Sequence, residues 1–172
     1  MSPKQHDLVN KKHAQKYLNS CPASLCEMLL KLADAIPPDC FDFQNADKDG
    51  VDGVSKFVGK KLPGDFTMKT IAQNKAWELP VAEVKAKLKA GVPVGVYLNP
   101  TNTPAHGWLV DSIQPNAAGE DEIRLVSKAS ELGNGEGNQT VTMTVTAAAA
   151  ANMKWSDPVY LEKLAVPNVG NS

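Results

Sequence analysis

Apolar side chains recur at helical spacing in the segment CPASLCEMLLKLADAI, which covers residues 21–36. Positions three and four apart share one face of a helix, so this spacing predicts a helix with one buried side. Ser20 can cap its start and Pro22 suits its first turn. Two prolines, Pro37 and Pro38, cannot continue the helix and predict its end. The apolar positions of this pattern are Leu25, Met28, Leu29, Leu32 and Ile36.

Runs of β-branched residues dominate the second half of the chain. Such residues favour extended backbone, and clusters of Pro, Gly, Asn and Asp separate the runs, so we expect four strands. The stretch PNAAGED between the second and third runs is typical of a hairpin connection. The four strands are expected at 92–98, 107–113, 122–127 and 139–146.

Shorter patterns predict further helices. LPVAEVKAKLKAG, residues 79–91, begins near a proline, has helical spacing and ends on a glycine. A short amphipathic helix is expected at 54–62, whereas 66–77 fits either a helix or a strand. The alanine run 147–151 and the segment DPVYLEKLA, residues 157–165, predict two closing helices.

The order of these elements, with helices before strands, predicts an α+β fold. The chain has 172 residues, and typical domains have ~150, so we expect a single domain over 1–172. Its polar and basic beginning predicts a loosely ordered arm over residues 1–19, of which 1–13 is the loosest part.

Composition and charge exclude several classes of function. The chain is 42% hydrophobic and 22% charged, as soluble globular proteins are. Its formal charge of −1 provides no field that would gather nucleic acid or anionic lipid. No apolar run approaches the ~18 residues that a membrane span needs, and no signal peptide is evident. We therefore expect a protein made in the cytoplasm, with neither nucleic acid nor a membrane as partner.

The cysteines point to reduced thiols, because their number is three and no secretory signal accompanies them. The spacing of Cys21 and Cys26 matches neither a redox pair nor a usual zinc site. The stretch NADKDG, residues 45–50, imitates the start of a calcium loop. However, Lys56 stands where that loop needs its last carboxylate, so we expect a solvated turn. No metal and no cofactor are predicted.

Cys21 is the strongest candidate for chemistry, because it stands where the first predicted helix begins. The positive end of the helix dipole lowers a thiol pKa, so we expect a thiolate nucleophile. Gln15, six residues earlier, can supply an amide N–H to an oxyanion near the sulfur. His106, at the start of an apolar strand, can hold the thiolate as an ion pair and later protonate a leaving group.

The order of Gln15, Cys21 opening a helix in NSCPASLCEMLL, and His106 opening a strand in AHGWLVDSI resembles the papain-like cysteine peptidases. KLKAGVPVGVYLNP followed by AHGWLVDSI is similar to a passage of the bacteriocin-processing, double-glycine peptidases of that group. The resemblance covers roughly residues 13–128. It implies a papain-like α+β fold, in which the helix that carries the nucleophile packs on an antiparallel sheet.

By the family's pattern, Cys21 is the nucleophile, His106 the general base and acid, and Gln15 the oxyanion donor. The family has glycine after the catalytic cysteine, where this chain has proline, and alignment on Ala-Ser-Leu would instead place Ser20 in the nucleophile column. The family orients its histidine with an aspartate on the next strand, where this chain reads IRLVSKAS. Ser127, a backbone carbonyl or a distant carboxylate is then left to orient the ring.

The resemblance implies hydrolysis of a peptide bond in a protein substrate, in that family after a Gly-Gly pair. The family's domain normally accompanies an exporter's membrane spans and nucleotide-binding domain, whose patterns are missing from these residues. We therefore expect an interbacterial toxin effector, delivered by a Sec-independent secretion system to the cytoplasm of a target cell and blocked by a cognate immunity protein. Two alternatives remain open: a peptidoglycan amidase or glutamine deamidase of the same fold, and a non-catalytic binding module.

Overall fold

The computed structural model describes residues 1–98, 106–129 and 139–165. In these residues, seven antiparallel strands form one sheet with a helix-covered core on each face, so the predicted α+β class is confirmed. The helices are α1 (Pro3–Asp7), α2 (Cys21–Leu32), α3 (Asp42–Ala46), α4 (Val81–Lys89) and α5 (Ala147–Ala150). The strands are β1 (Lys61–Leu62), β2 (Phe66–Thr70), β3 (Val94–Leu98), β4 (His106–Pro115), β5 (Asp121–Ala129), β6 (Gln139–Thr146) and β7 (Val159–Lys163). Their order across the sheet is β1-β2-β7-β3-β4-β5-β6.

Helix α2 lies against the middle of the sheet, and two glycines allow its close approach. A Cβ atom added at Gly95 of β3 would lie 3.0 Å from Leu25 Cδ1, and one at Gly107 of β4 would lie 3.2 Å from Leu25 Cδ2. Side chains at both positions would therefore push the helix away from the sheet. Leu25 is fully buried between these strands, so the start of α2 is held directly over the start of β4.

The two faces of β4 belong to different cores, because successive residues of a strand point to opposite sides. Leu109 packs in the core under α2, whereas Val110 packs in the core that α4 and α5 cover. His106 shares the second face with Trp108, and their rings meet nearly edge-on with centroids 5.2 Å apart. Gly107 faces α2. The alternation therefore sets the direction of every side chain near the candidate site.

Helix α2 ends four residues before the predicted boundary. Asp34 adopts φ 56°, a left-handed conformation that an aspartate tolerates. The Ala35 N–H donates to Leu30 O at 2.8 Å and the Asp34 N–H donates to Lys31 O at 3.1 Å. This pair of bonds is a Schellman motif, which satisfies the last carbonyls of the helix. The helix therefore stops before the two prolines are reached.

The predicted strands and the helix before them are confirmed with small shifts, and so is the hairpin, in which Pro115 pairs with Asp121. Residues 157–165 are a correction: they contain β7 rather than a helix, because pairing with β2 and β3 on both sides satisfies its backbone. The helix expected over 54–62 was also wrong, since a 3₁₀ turn at Val54–Lys56 is followed by β1. The first part of the ambiguous segment 66–77 is a strand, β2, which ends at Thr70.

The beginning of the chain is folded, not a loose arm. Residues 1–13 contain α1 and a π-helical turn at Leu8–Lys12, and Val9 and His13 are fully buried. His6 Nε2 lies 2.7 Å from Asp111 Oδ1 on β4. Polar composition misled the prediction here, because several of these polar side chains have buried partners instead of solvent.

Candidate active site

Cys21 is the first residue of α2, and its thiol faces β3 and β4. Its Sγ lies 3.6 Å from the hydroxyl oxygen of Tyr97. Backbone hydrogen bonds from Cys21 itself and from Gly107 also reach the sulfur. All three cysteines of the chain are free thiols, and Cys21 stands at a helix start beside polar groups of the sheet.

Burial raises the pKa of the Cys21 thiol, and the hydrogen bonds from Tyr97 and from the backbone of Cys21 and Gly107 offset only part of that effect. Desolvation penalises the thiolate more than these donors stabilise it. The resting site therefore holds a protonated thiol at neutral pH. This corrects the expectation that the helix dipole alone would produce a thiolate.

His106 and Ser127 lie together on the face of the sheet opposite α2. His106 Nε2 is 2.9 Å from Ser127 Oγ, and the Ser127 hydroxyl donates to Gly107 O at 2.6 Å. A second hydrogen bond joins the ring to the backbone of Lys128. Ser127 and the Lys128 backbone therefore hold the orientation of the ring.

Burial lowers the pKa of His106, and a hydrogen bond to the backbone of Lys128 opposes that shift. The imidazole is therefore neutral at neutral pH. Together with the protonated thiol, this gives a neutral pair in place of the expected thiolate–imidazolium ion pair, because burial disfavours both charges. A neutral imidazole can accept a proton when a reaction requires it.

The Cys21 thiol and the His106 imidazole lie near the same end of β4, but on opposite faces of the strand. The amide that binds the Cys21 sulfur belongs to Gly107, the residue directly after His106. His106 projects from the opposite face of the strand, where Ser127 and Trp108 contact its ring. The turn expected before His106 falls in residues 99–105, outside the described residues.

Gln15 does not point its amide at the sulfur. Its Nε2 donates to Tyr17 O at 2.9 Å and to Leu18 O at 3.1 Å, which uses both amide hydrogens. Gln15 is buried, and these bonds hold the turn that leads into α2. The expected oxyanion role is therefore corrected to one of positioning, because an amide with both hydrogens committed has none left for an oxyanion.

Tyr97 is the site residue that the sequence did not reveal. It lies on β3 directly opposite Gly107, and its ring packs against the core under α2. Burial raises the pKa of its hydroxyl, with the nearby Cys21 thiol as a second cause. The hydroxyl therefore stays protonated and is a permanent donor beside the sulfur.

A groove with a volume of about 650 Å³ opens beside Tyr97 and Leu25. Loop residues 51–55 line one part of it, and Trp77 and Asp157 line another. Trp77 is 49% exposed and adopts φ 64°, a conformation that bulky residues rarely adopt. Its backbone is fixed by two bonds, from Trp155 N–H to its carbonyl and from its own N–H to Gln73 Oε1. The groove is connected to the surroundings of the thiol through Tyr97, which lines it and also contacts the Cys21 sulfur.

In the part of the chain that the structure describes, His, Cys, Asp and Glu side chains form no group of three or more that could hold a metal ion. The calcium-like stretch has a different use: Asp47 pairs with Lys56 at 3.6 Å. None of the described helices combines the length and the apolar character that crossing a membrane requires.

Comparisons of the chain with models of protein families, with curated proteins and with solved structures found no match. Function is therefore inferred from the arrangement of Cys21, Tyr97, His106 and Ser127.

Proposed function

We propose that this chain is a papain-like cysteine peptidase, with Cys21 as nucleophile, His106 as general base and acid, and Ser127 as the residue that orients the imidazole. The observation that carries the proposal is the chain of bonds from His106 Nε2 through Ser127 Oγ to Gly107 O. It orients the imidazole of the residue directly before Gly107, whose backbone N–H binds the Cys21 sulfur.

The neutral pair implies proton transfer during the reaction. The structure places the two side chains on opposite faces of β4, so the proposed reaction requires the His106 ring to turn toward Cys21 at the end of the strand when substrate binds. The thiol then gives its proton to the imidazole as the sulfur attacks the carbonyl carbon, so a C–S bond forms and the carbonyl electron pair moves to oxygen. The imidazolium then protonates the leaving amine as the C–N bond breaks. Water hydrolyses the resulting thioester with the same imidazole as base, which releases the acid and restores the thiol.

The substrate that we propose is a peptide bond in a protein, after a glycine. The resemblance to double-glycine peptidases favours this choice. It also favours an interbacterial effector, delivered independently of the Sec pathway to a target cytoplasm, with an immunity protein that covers the Cys21–His106 site.

The test compares bacteria that express the wild-type chain, Cys21→Ala or His106→Ala in the cytoplasm. We expect the wild type to stop growth and both variants to be harmless at equal expression. Proteomics of the arrested cells should find new protein N-termini after glycine. Equal toxicity of wild type and Cys21→Ala would contradict the proposal. Toxicity confined to periplasmic expression would instead indicate the peptidoglycan amidase.

A non-catalytic binding module is the second candidate, and the raised pKa of Cys21 favours it, because a protonated thiol is a weak nucleophile. A thiol-reactive activity probe discriminates the two. Labelling of Cys21 that depends on His106 supports the peptidase, whereas absence of labelling supports the binding module.

A further inference from the structure

We infer that Tyr97 is a catalytic residue of this site: its hydroxyl donates to the Cys21 sulfur when the thiolate forms, and then to the carbonyl oxygen of the substrate as negative charge moves there. The inference rests on the proposed function and assigns the oxyanion donor that Gln15 leaves vacant.

The Tyr97 hydroxyl contacts the Cys21 sulfur directly. The hydroxyl oxygen of Tyr97 lies 3.6 Å from Cys21 Sγ. Within the described residues, the hydroxyl makes its side-chain hydrogen bond with this sulfur. A phenol is a stronger donor than a thiol, so the proton of this contact belongs to the tyrosine. A donor that points at a sulfur is useful chiefly when the sulfur is negatively charged.

Gln15, the expected oxyanion donor, has no amide hydrogen left to donate. Both amide hydrogens of Gln15 are committed to backbone carbonyls of the turn before α2. Release of one would break a bond inside a buried turn and leave its carbonyl unpaired. Tyr97 can donate without breaking a bond to the rest of the protein, because its contact is with the reacting atom.

During the proposed reaction, negative charge moves from the Cys21 sulfur to the carbonyl oxygen of the substrate. Attack by the thiolate forms the C–S bond and transfers one unit of negative charge from sulfur to the carbonyl oxygen. The two atoms are bonded to the same carbon in the intermediate, so a hydroxyl that touches the sulfur can follow the charge with a small rotation. A donor that meets the charge at both stages strengthens as the reaction proceeds.

The register of β3 and β4 makes this placement possible. Tyr97 is the cross-strand partner of Gly107, and the backbone of Gly107 also binds the sulfur. Because glycine has no side chain, Leu25 and the carbonyl of Cys21 can approach β4 closely at this position. The two donors therefore reach the thiol from neighbouring strands.

Tyr97→Phe tests the inference, because it removes one oxygen and keeps the ring. Tyr160→Phe is the matched control, since Tyr160 is also half-buried on the sheet but lies under the ammonium group of Lys87 at 4.1 Å. The first measurement is the rate at which iodoacetamide alkylates Cys21 across pH, with each cysteine-containing peptide quantified separately by mass spectrometry.

We expect the alkylation profile of Tyr97→Phe to move up by about one pH unit, which lowers the rate at pH 7 about tenfold. Tyr160→Phe should match the wild type. An unchanged profile in Tyr97→Phe would overturn the inference, whatever the hydrolytic activity.

The second measurement is kcat for peptide hydrolysis, which should fall about 10²- to 10³-fold in Tyr97→Phe with little change in KM. Equal kcat in this variant and the wild type would overturn the oxyanion role. A shifted alkylation profile without hydrolysis by any form of the protein would support the Tyr97–Cys21 bond and contradict the peptidase proposal.

Discussion

Two buried histidines of this protein make the same contact with a serine but have different surroundings. His13 Nε2 lies 2.8 Å from Ser24 Oγ, and His106 Nε2 lies 2.9 Å from Ser127 Oγ. On the other side of the His13 ring, Nδ1 accepts from Lys31 Nζ at 2.9 Å. Burial lowers the pKa of both histidines, more strongly for His13, where Lys31 adds repulsion.

The difference decides what each ring can do. Lys31 occupies the basic nitrogen of His13, and its own ammonium lies 4.0 Å from the centre of the Phe41 ring. Nearby, Glu27 accepts bonds from Gln44 in the same buried region. The His13 ring is bonded to a charged ammonium group and holds the buried core together, whereas the His106 ring is bonded to a serine hydroxyl and a backbone group, neither of which carries a charge that opposes its protonation.

The largest expected effect separates the two histidines by activity. His106→Gln should lower hydrolysis by about 10²- to 10⁴-fold, because it removes the general base. His13→Gln should keep most of the activity and instead lose stability, by about 1–3 kcal/mol, since Lys31 or Ser24 loses a partner. Peptide hydrolysis and urea unfolding measure the two quantities. Similar activity in both variants would break the comparison.

The paired serines give the next effect. Ser127→Ala should lower kcat by about 10- to 100-fold, because the bond from Ser127 to the imidazolium that forms in the reaction is lost. Ser24→Ala removes the same atom beside His13 and should leave kcat unchanged. Both variants should unfold at lower urea, since each leaves a buried ring nitrogen without its hydrogen-bond partner. A kcat that Ser127→Ala does not change would contradict the orienting role.

Two glycines sharpen the comparison within the site. Gly107→Ala would place a Cβ 3.2 Å from Leu25 Cδ2 and 3.5 Å from Cys21 O, whereas the atoms nearest to a Cβ at Gly95 all belong to Leu25, the first at 3.0 Å. Both should cost stability, by about 1–3 kcal/mol for the crowding. Only Gly107→Ala should also lower kcat, because it moves the start of α2 relative to β4. Steady-state kinetics and thermal unfolding distinguish the two, and an equal kcat loss would show that the effect is general.

The smallest effect is the pH dependence of stability. The unfolded chain protonates its histidines near pH 6.5, while the folded chain keeps His13 and His106 neutral to lower pH. The unfolded state then binds more protons, so the free energy of unfolding falls as pH decreases below about 6.5, by up to ~1.4 kcal/mol per pH unit for each histidine. Urea titrations should find a flatter slope in His13→Gln than in His106→Gln. Equal slopes would contradict the difference between the two environments.

Local patterns predicted α2 and the strands β3 to β6, because each of these segments has a regular apolar pattern and is bounded by residues that end helices or strands. They failed for β7, whose short apolar run becomes a strand only through pairing with β2 and β3. The prediction for α2 also used only its apolar positions and left out its polar ones. Ser24, Glu27 and Lys31 follow one another at three and four positions, and a polar stripe inside an apolar helix signals the buried network around His13.

For the candidate site, the sequence identified residues at element boundaries, which carry a local mark. Cys21 begins a helix, His106 begins a strand, and Ser127 takes the column of an expected carboxylate. Nothing in the local sequence distinguishes Tyr97 from the apolar residues of its strand. Its place beside the thiol follows from strand register, and the pKa of Cys21 follows from burial, so both required the three-dimensional fold.

The central claim is that Cys21 and His106 act as one hydrolytic pair. The most direct measurement is the pre-steady-state burst of p-nitrophenol from p-nitrophenyl acetate, which reports acylation of the thiol without a natural substrate. We predict a stoichiometric burst in the wild type and in His13→Gln, and none in Cys21→Ala or His106→Gln. A burst in His106→Gln as fast as that of the wild type would contradict the claim.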